Sequence, residues 1–405
     1  MAWAPPAKIG DRDPSVALAK AKLARFEYGH DLDRSDLYTD AFGQALKLFQ
    51  LYRNREIERG TKTGPTMAKS GVLDWATKRQ LGMLDAPPAP VRGPRHPAWV
   101  WRGTGGIPGL DYTSKVCQAN ADLVEEINTP WSATMGGIPV GTAGHLWDPS
   151  MWRGARQAFE DFKVDFLRRR SINPLIRGVF GGYSAGAVVA ALSREWVLEH
   201  YPENYLCSFS LGDPTRPNGG AFYDAPASAG EGQGISSWQY GDIDDWRHCW
   251  LTNGADMYGR VPLGKTGEIL QDGFDLVTNV EISDPIATAR NLVQVIPEIA
   301  ADSGIPIPAA LGALAGGPPA ILAFGMPLVL GAIGGLIGGG NPDTLTGTAA
   351  AAAAASIALG FALDNPPTRP HITYEYAEVW PGQTYLGLAS QHVRDYATRI
   401  PAVAA

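Results

Sequence analysis

The stretch Leu175-Ile-Arg-Gly-Val-Phe-Gly-Gly182-Tyr183-Ser184-Ala185-Gly186-Ala-Val-Val-Ala-Ala191 decides the fold. Leu175–Phe180 is an apolar run of strand length, and Ala185–Glu199 is an apolar-faced run of helical period. Between them stands Gly182-Tyr183-Ser184-Ala185-Gly186. A serine on a sharp strand-to-helix turn sits in strained backbone, and glycines two positions to either side let strand and helix approach without Cβ clashes. The turn exposes the hydroxyl and points the unpaired N–H groups of a helix N-terminus at a developing oxyanion. The bare pattern also arises as a plain Gly/Ser turn in an α/β sheet. Its place between a strand and a helix favours a nucleophile elbow.

Around this centre, strands alternate with helices. Ala98–Arg102, Tyr205–Leu211 and Trp246–Leu251 read as further strands, and Arg153–Arg170 as a helix with Ala158, Phe162 and Phe166 on one stripe. Buried strands alternating with helices predict a parallel sheet covered on both faces, an α/β fold. Upstream, Asp85-Ala-Pro-Pro-Ala-Pro-Val-Arg-Gly-Pro-Arg-His-Pro97 carries five prolines and reads as a linker. The unit before it reads as small and helical: Val16, Ala19, Leu23 and Phe26 keep helical spacing, as do Phe42, Leu46 and Phe49. Gly71-Val-Leu-Asp74-Trp-Ala-Thr77 supplies a turn and an N-cap leading to Leu81.

The 405 residues leave room for two domains. Charged residues are 19% and the net charge is −7, which leaves no electrostatic footprint for nucleic acid, although 1–90 carries a basic excess. Three cysteines without a CxxC exclude a disulfide scaffold or a zinc ribbon. No HExxH, EF-hand loop or P-loop occurs, so no metal or ATP cofactor is implied. Met-Ala-Trp-Ala-Pro-Pro-Ala lacks the make-up of a signal peptide, and synthesis in a cytosol is expected.

If Ser184 is a nucleophile, a second oxyanion donor is due after the first strand, where Arg102-Gly103-Thr104-Gly105 lies; Thr104 offers an N–H and a hydroxyl, and Ala185 the first donor. A nucleotide-binding glycine loop is the rival reading, but the third glycine of GxGxxG is missing. The acid must follow a later strand. Asp256 comes soon after Trp246–Leu251, and Asp213 follows Tyr205–Leu211 but precedes Pro214; spacing favours Asp256. Only His371 and His392 lie beyond Asp256. His371 follows Pro370 in a loop from which an imidazole can reach the serine, whereas His392 falls on a helical stripe with Ala389, Val393 and Tyr396.

With these residues assembled, 98–405 resembles the lysin B family, mycolylarabinogalactan esterases encoded by mycobacteriophages, of cutinase-like α/β-hydrolase fold. Gly103-Thr104-Gly105 resembles the family's HGTG oxyanion loop, with Arg102 in place of the usual histidine. Gly182-Tyr-Ser184-Ala-Gly186 resembles its GYSQG elbow, and Gly212-Asp213-Pro214-Thr-Arg216 its GNPxR segment, which argues against Asp213 as the acid. Ala255-Asp256-Met257-Tyr258 and Pro370-His371 match the segments carrying acid and base. The resemblance implies a Ser184–His371–Asp256 triad with Thr104 and Ala185 at the oxyanion, and a helical insertion at about 260–366. It also implies cleavage of the mycolic acid–arabinogalactan ester at the host cell envelope, after synthesis in the infected cytoplasm. The front unit, 1–85, with 86–97 as linker, is similar to peptidoglycan-binding domains in Phe42, Ala45, Phe49-Gln50, Gly71, Asp74, Thr77 and Leu81. Expected partners are therefore mycolyl-arabinogalactan, other lipid esters and peptidoglycan. A broader lipase or cutinase is the alternative, and a wall-binding, membrane-perturbing protein a second one.

That second alternative rests on Ser303–Leu363, where Asp343 is the only charge. Residues 320–338 are long enough to span a bilayer, but they hold five glycines and Pro327, without basic flanks or an aromatic belt. A greasy helical cover shaping an acyl groove, with Leu328, Leu330, Ile333, Leu336 and Ile337 as its lining, is the favoured reading.

Overall fold

A computed structural model describes residues 9–62, 67, 69, 71–73, 75–83, 93–138, 140–221, 231–279, 281, 341–362, 365, 368–380 and 382–404. Three helices make the front unit: α1 (Pro14–Leu23), α2 (Asp40–Glu58) and α3 (Trp75–Gln80). Asp13 caps α1 by accepting the Ser15 N–H, and Thr39 caps α2. Val16, Ala19 and Leu23 pack on Phe42, Leu46 and Phe49, with Leu73 and Leu81 closing the core. The buried Gln50 carboxamide ties this unit together. It donates to the Val72 carbonyl and to Thr77 Oγ1, and it accepts the Gly71 N–H. Asp74 lies outside the described residues, as does most of the proline-rich stretch. α3 does not stand clear of the rest of the chain but packs against the last helix.

The larger unit is built on five parallel strands, β1 (His96–Trp101), β2 (Val124–Ile127), β3 (Gly178–Tyr183), β4 (Tyr205–Leu211) and β5 (His248–Leu251), in the order β2-β1-β3-β4-β5. Around them lie α4 (Tyr112–Ala119), α5 (Met151–Ile172), α6 (Ala185–His200), α7 (Gly264–Thr278), α8 (Gly347–Ala362) and α9 (Tyr385–Arg399). A two-strand ribbon of β6 (Glu378–Trp380) and β7 (Gln383–Thr384) precedes α9. The period of two along β1 sorts its side chains between the layers. Trp99 and Trp101 join Phe162 and Phe166 of α5, Phe180, and Val188 of α6 on one face. Ala98 and Val100 join Val116 of α4 and Val393 and Tyr396 of α9 on the other.

The strand boundaries depart from the sequence reading for local reasons. β1 starts at His96, so the last two residues of the proline-rich stretch belong to the sheet. β3 starts at Gly178 rather than Leu175, because the carbonyls of Pro174 and Ile176 are taken by the Asn204 side chain instead of a neighbouring strand. β5 starts at His248 rather than Trp246, because the N–H groups of Arg247 and His248 fold back onto Asp245. α4 and β2 were not foreseen; each is too short for a period to show.

Two helices of the insertion are described. α7 and α8 pack side by side, with Ala354 in one cluster with Leu270 and Phe274, so the alanine run serves as a close-packing helix face. Residues 282–340, which include 320–338 and the five proposed groove residues, lie outside the described residues. Among the described residues no helix is long and apolar enough to cross a membrane.

His248 and His392 are buried on the sheet. His248 lies between Ser208 Oγ and Ser210 Oγ, and His392 Nε2 meets the Arg247 carbonyl at 3.0 Å. Burial holds His248 well below the ordinary imidazole value and His392 at about 4. A depressed folded-state value means that the unfolded chain binds the proton first. The stability these rings contribute is therefore whole above the ordinary value of 6.5 and is lost as pH falls through about 4. The urea midpoint should drop between pH 7 and pH 4.5, and less steeply in His392→Leu. Equal slopes in the two proteins would contradict this origin.

Candidate active site

Ser184 stands at the end of β3 and caps α6 with φ 54° and ψ −128°. A non-glycine residue held there costs about 1–3 kcal/mol and persists only where its surroundings over-determine it. Here the Ser184 N–H donates to the Leu211 carbonyl on β4 at 3.0 Å. A Cβ at Gly182 would lie 2.4 Å from Ala187 Cα, and one at Gly186 would lie 2.2 Å from the Trp101 carbonyl oxygen. The glycines two residues before and after the serine thus permit the crossing of β3, α6 and β1.

Three residues far apart in sequence meet at this turn. His371 Nε2 lies 2.8 Å from Ser184 Oγ, and His371 Nδ1 lies 2.8 Å from Asp256 Oδ2. Asp256 is 0% exposed. Its Oδ1 accepts the Tyr258 N–H, and Oδ2 also accepts the Tyr374 hydroxyl at 2.6 Å. An ionised carboxylate only accepts, so Nδ1 carries the hydrogen and Nε2 is left to accept from the serine. Burial, reinforced by the Asp256 charge, pushes the Tyr374 hydroxyl well above its ordinary range and keeps it a donor.

The imidazole is fixed on every side. Tyr183 donates its hydroxyl to the His371 carbonyl at 2.8 Å and stacks its ring on the imidazole, with the Tyr258 ring at 4.5 Å. Phe361 of α8 stands at 6.4 Å, so the end of the insertion borders the site. Beneath, Gly212 has φ +53°, and a Cβ there would sit 2.7 Å from Asp256 Oδ2 and 2.9 Å from His371 Nδ1.

The loop after β1 closes on the serine, for a Cβ at Gly103 would stand 3.3 Å from Ser184 Cβ. Arg102 staples this loop by donating from Nε to the Gly106 carbonyl and from Nη2 to the Trp131 carbonyl. The Gly103 N–H goes to the half-buried Asp111 carboxylate, and the Gly106 N–H turns back to the Gly103 carbonyl. Among the described residues the N–H groups of Thr104 and Ala185 have no hydrogen-bond partner. They are left free for an acceptor.

The other candidates lie elsewhere. Asp213 Oδ1 accepts the Thr215 N–H and hydroxyl, which makes it a turn-former, and His392 is occupied with the Arg247 carbonyl inside α9. Arg216 is fully buried and donates to the carbonyls of Gly259, Gly220 and Glu231. It thereby pins the chain just beyond the Asp256–Tyr258 turn. Tyr374, Tyr183 and Asp111 were missed from sequence. Tyr183 lies inside the serine motif and Tyr374 three residues after His371, but no pattern marks a tyrosine as the partner of a distant carboxylate.

A parallel sheet with a left-handed serine between its central strand and a helix, and an imidazole and carboxylate brought in from later loops, is the architecture of the α/β-hydrolases. No family model and no curated relative matches the chain. Among solved structures it is similar to lysin B from mycobacteriophage D29, at 14% identity and TM-score 0.42, over 74% of this chain and 99% of that one. It is also similar to a cutinase-like protein from Cryptococcus sp., at 15% identity and TM-score 0.33, over 41% and 79%.

Removing the Tyr374 hydroxyl should loosen the carboxylate without breaking the Ser184–His371–Asp256 line. Hydrolysis of p-nitrophenyl butyrate by Tyr374→Phe should fall about tenfold, the worth of one hydrogen bond to a charged group. Asp256→Asn should cost on the order of 10⁴-fold through the wrong imidazole tautomer. A Tyr374→Phe protein as damaged as Asp256→Asn, or an Asp256→Asn protein near parent activity, would contradict the geometry.

Proposed function

We propose that this chain is a serine esterase acting on lipid esters, and that its ester is the one joining mycolic acids to arabinogalactan. The observation that carries the esterase reading is the hydrogen-bonded line from Asp256 through His371 to a serine held at positive φ. In this mechanism Ser184 Oγ attacks the ester carbonyl while His371 Nε2 takes its proton. The oxyanion is received by the N–H groups of Thr104 and Ala185, and the α6 N-terminus adds its dipole. Collapse of the intermediate breaks the ester C–O bond, and Nε2–H returns the proton to the departing sugar oxygen. Water, deprotonated at the same nitrogen, then releases the fatty acid and frees Ser184.

The finer reading, to mycolyl-arabinogalactan, is supported by the order and spacing of the motifs at Gly103–Gly105, Gly182–Gly186, Gly212–Arg216, Ala255–Tyr258 and Pro370-His371. An apolar insertion whose described end reaches the imidazole at Phe361 adds to it. With it goes a role in releasing the host's outer lipid layer, by a protein made in the infected cytoplasm and held at the wall through peptidoglycan contacts of the front unit, 1–85. A broader lipase or cutinase uses the same line of residues and differs in substrate alone.

Mass spectrometry of lipids released from purified mycobacterial walls separates the two. The proposal expects free mycolic acids from the parent protein and none from Ser184→Ala; hydrolysis of short esters without mycolate release would leave only the broader reading. On soluble esters His371→Ala should match Ser184→Ala, with a loss of more than about a hundredfold, since such residues act as a unit. His392→Leu should cost at most a few-fold. The reverse order of the two histidines would overturn the assignment of the base.

A further inference from the structure

Large apolar side chains stand in water on the three loops around Ser184. Ile107 and Leu110 follow Thr104 in the loop between β1 and α4, Leu146 and Trp147 lie between β2 and α5, and Ile372 and Tyr376 follow His371. Trp147 is 77% exposed, Tyr376 73% and Leu110 67%. Single exposed apolar residues are ordinary on protein surfaces, but a group of them around one site marks an interaction surface.

The loops are joined to one another. The Gly105 carbonyl accepts the Thr142 N–H at 3.0 Å, and the backbones of Gly105 and Gly141 touch so closely that a Cβ on Gly141 would lie 2.6 Å from the Gly105 oxygen. On the other side, the Tyr112 hydroxyl donates to the Ile372 carbonyl at 2.6 Å. The segment carrying Thr104 is thus the hub, and the exposed residues of the other two loops project from positions tied to it.

Charge decides what this rim can meet. Neither 103–110 nor 131–147 contains an Asp, Glu, Lys or Arg, and 368–377, with Ile372 and Tyr376, holds one of each sign, Arg369 and a Glu375 paired with Lys115. The carboxylate beside Trp147, Asp148, is turned inward to the N–H groups of Gly144 and His145. Docking on anionic headgroups draws on clustered Lys and Arg, which these segments lack, and the chain carries −7 overall. A protein held on all three loops would stop up the serine, whereas a lipid layer is where a lipid ester resides.

We infer that the rim formed by Ile107, Leu110, Leu146, Trp147, Ile372 and Tyr376 docks on an uncharged lipid surface and seats the Ser184 site against the layer that holds the ester. This rests on the esterase reading for its purpose, though the adsorption itself needs no catalysis.

The test is flotation of the full chain with phosphatidylcholine vesicles, for the parent, Ser184→Ala, Trp147→Ser and Leu110→Ser/Trp147→Ser. Parent and Ser184→Ala should float alike, and the double variant should lose about tenfold in partitioning, since adsorption scales with buried apolar area. The double variant should hydrolyse soluble p-nitrophenyl butyrate at the parent rate and lose turnover of an emulsified long-chain p-nitrophenyl ester in step with its flotation. Undiminished flotation of the double variant would overturn the docking. So would binding confined to phosphatidylglycerol vesicles and abolished by high salt, or a parent dimer that the double variant dissociates in sedimentation. A parent protein that floats but cleaves no ester would instead sink the esterase reading, so the two failures are distinct.

Discussion

A carboxylate shut away from water must be met by donors, and the way this chain meets Asp256 organises the whole edge of the sheet. An unpaired buried charge costs several kcal/mol, so its partners are not optional. One oxygen takes the Tyr258 N–H of its own turn; the other takes both the His371 Nδ1–H and the Tyr374 hydroxyl. The imidazole is 115 residues further along the chain, across the apolar insertion. The satisfaction of Asp256 therefore draws the segment after the insertion back onto β5, and the Tyr183 hydroxyl locks its carbonyl to β3. The arrangement closes only because Gly212 leaves room beneath the pair, where a methyl group would collide with both.

Against that fixed pair stands a serine that pays for its position in backbone strain. Its φ of 54° is sustained by the hydrogen bond to Leu211 and by the close crossing of β3, α6 and β1. The same crossing brings Gly103 up to the serine, and Arg102 and Asp111 hold that loop from either side. Among the described residues the N–H groups of Thr104 and Ala185 are left without partners. The strained serine, the imidazole hydrogen-bonded to it and the close approach of the Gly103 loop are thus consequences of one packing arrangement at the C-terminal ends of the strands.

Much of this was legible in the chain. The glycines around Ser184 have steric reasons that any strand-to-helix turn would share, and the α/β layering followed from the alternation of apolar runs. Asp256 and His371 could be preferred over Asp213 and His392 by loop position and by resemblance, and the structure gives each of the latter another occupation. What was not legible depends on contacts without a local pattern. Tyr374 meets a carboxylate 118 residues away, and Tyr183 a carbonyl 188 residues away. The start of β3 was misread because an asparagine side chain, Asn204, takes carbonyls that the apolar pattern assigned to a sheet. β2 and α4 are too short for periodicity to mark them. The packing of α3 on α9 likewise has no local pattern to mark it.

On the proposed esterase mechanism, His371, set by Asp256, makes Ser184 a nucleophile. Treating the full chain with a fluorophosphonate and mapping the adduct by peptide mass spectrometry tests it most directly, because the reagent phosphonylates activated serines irrespective of substrate. One adduct is expected, on Ser184, formed far more slowly in His371→Ala. An unmodified Ser184, or labelling that proceeds at the parent rate without the imidazole, would contradict it.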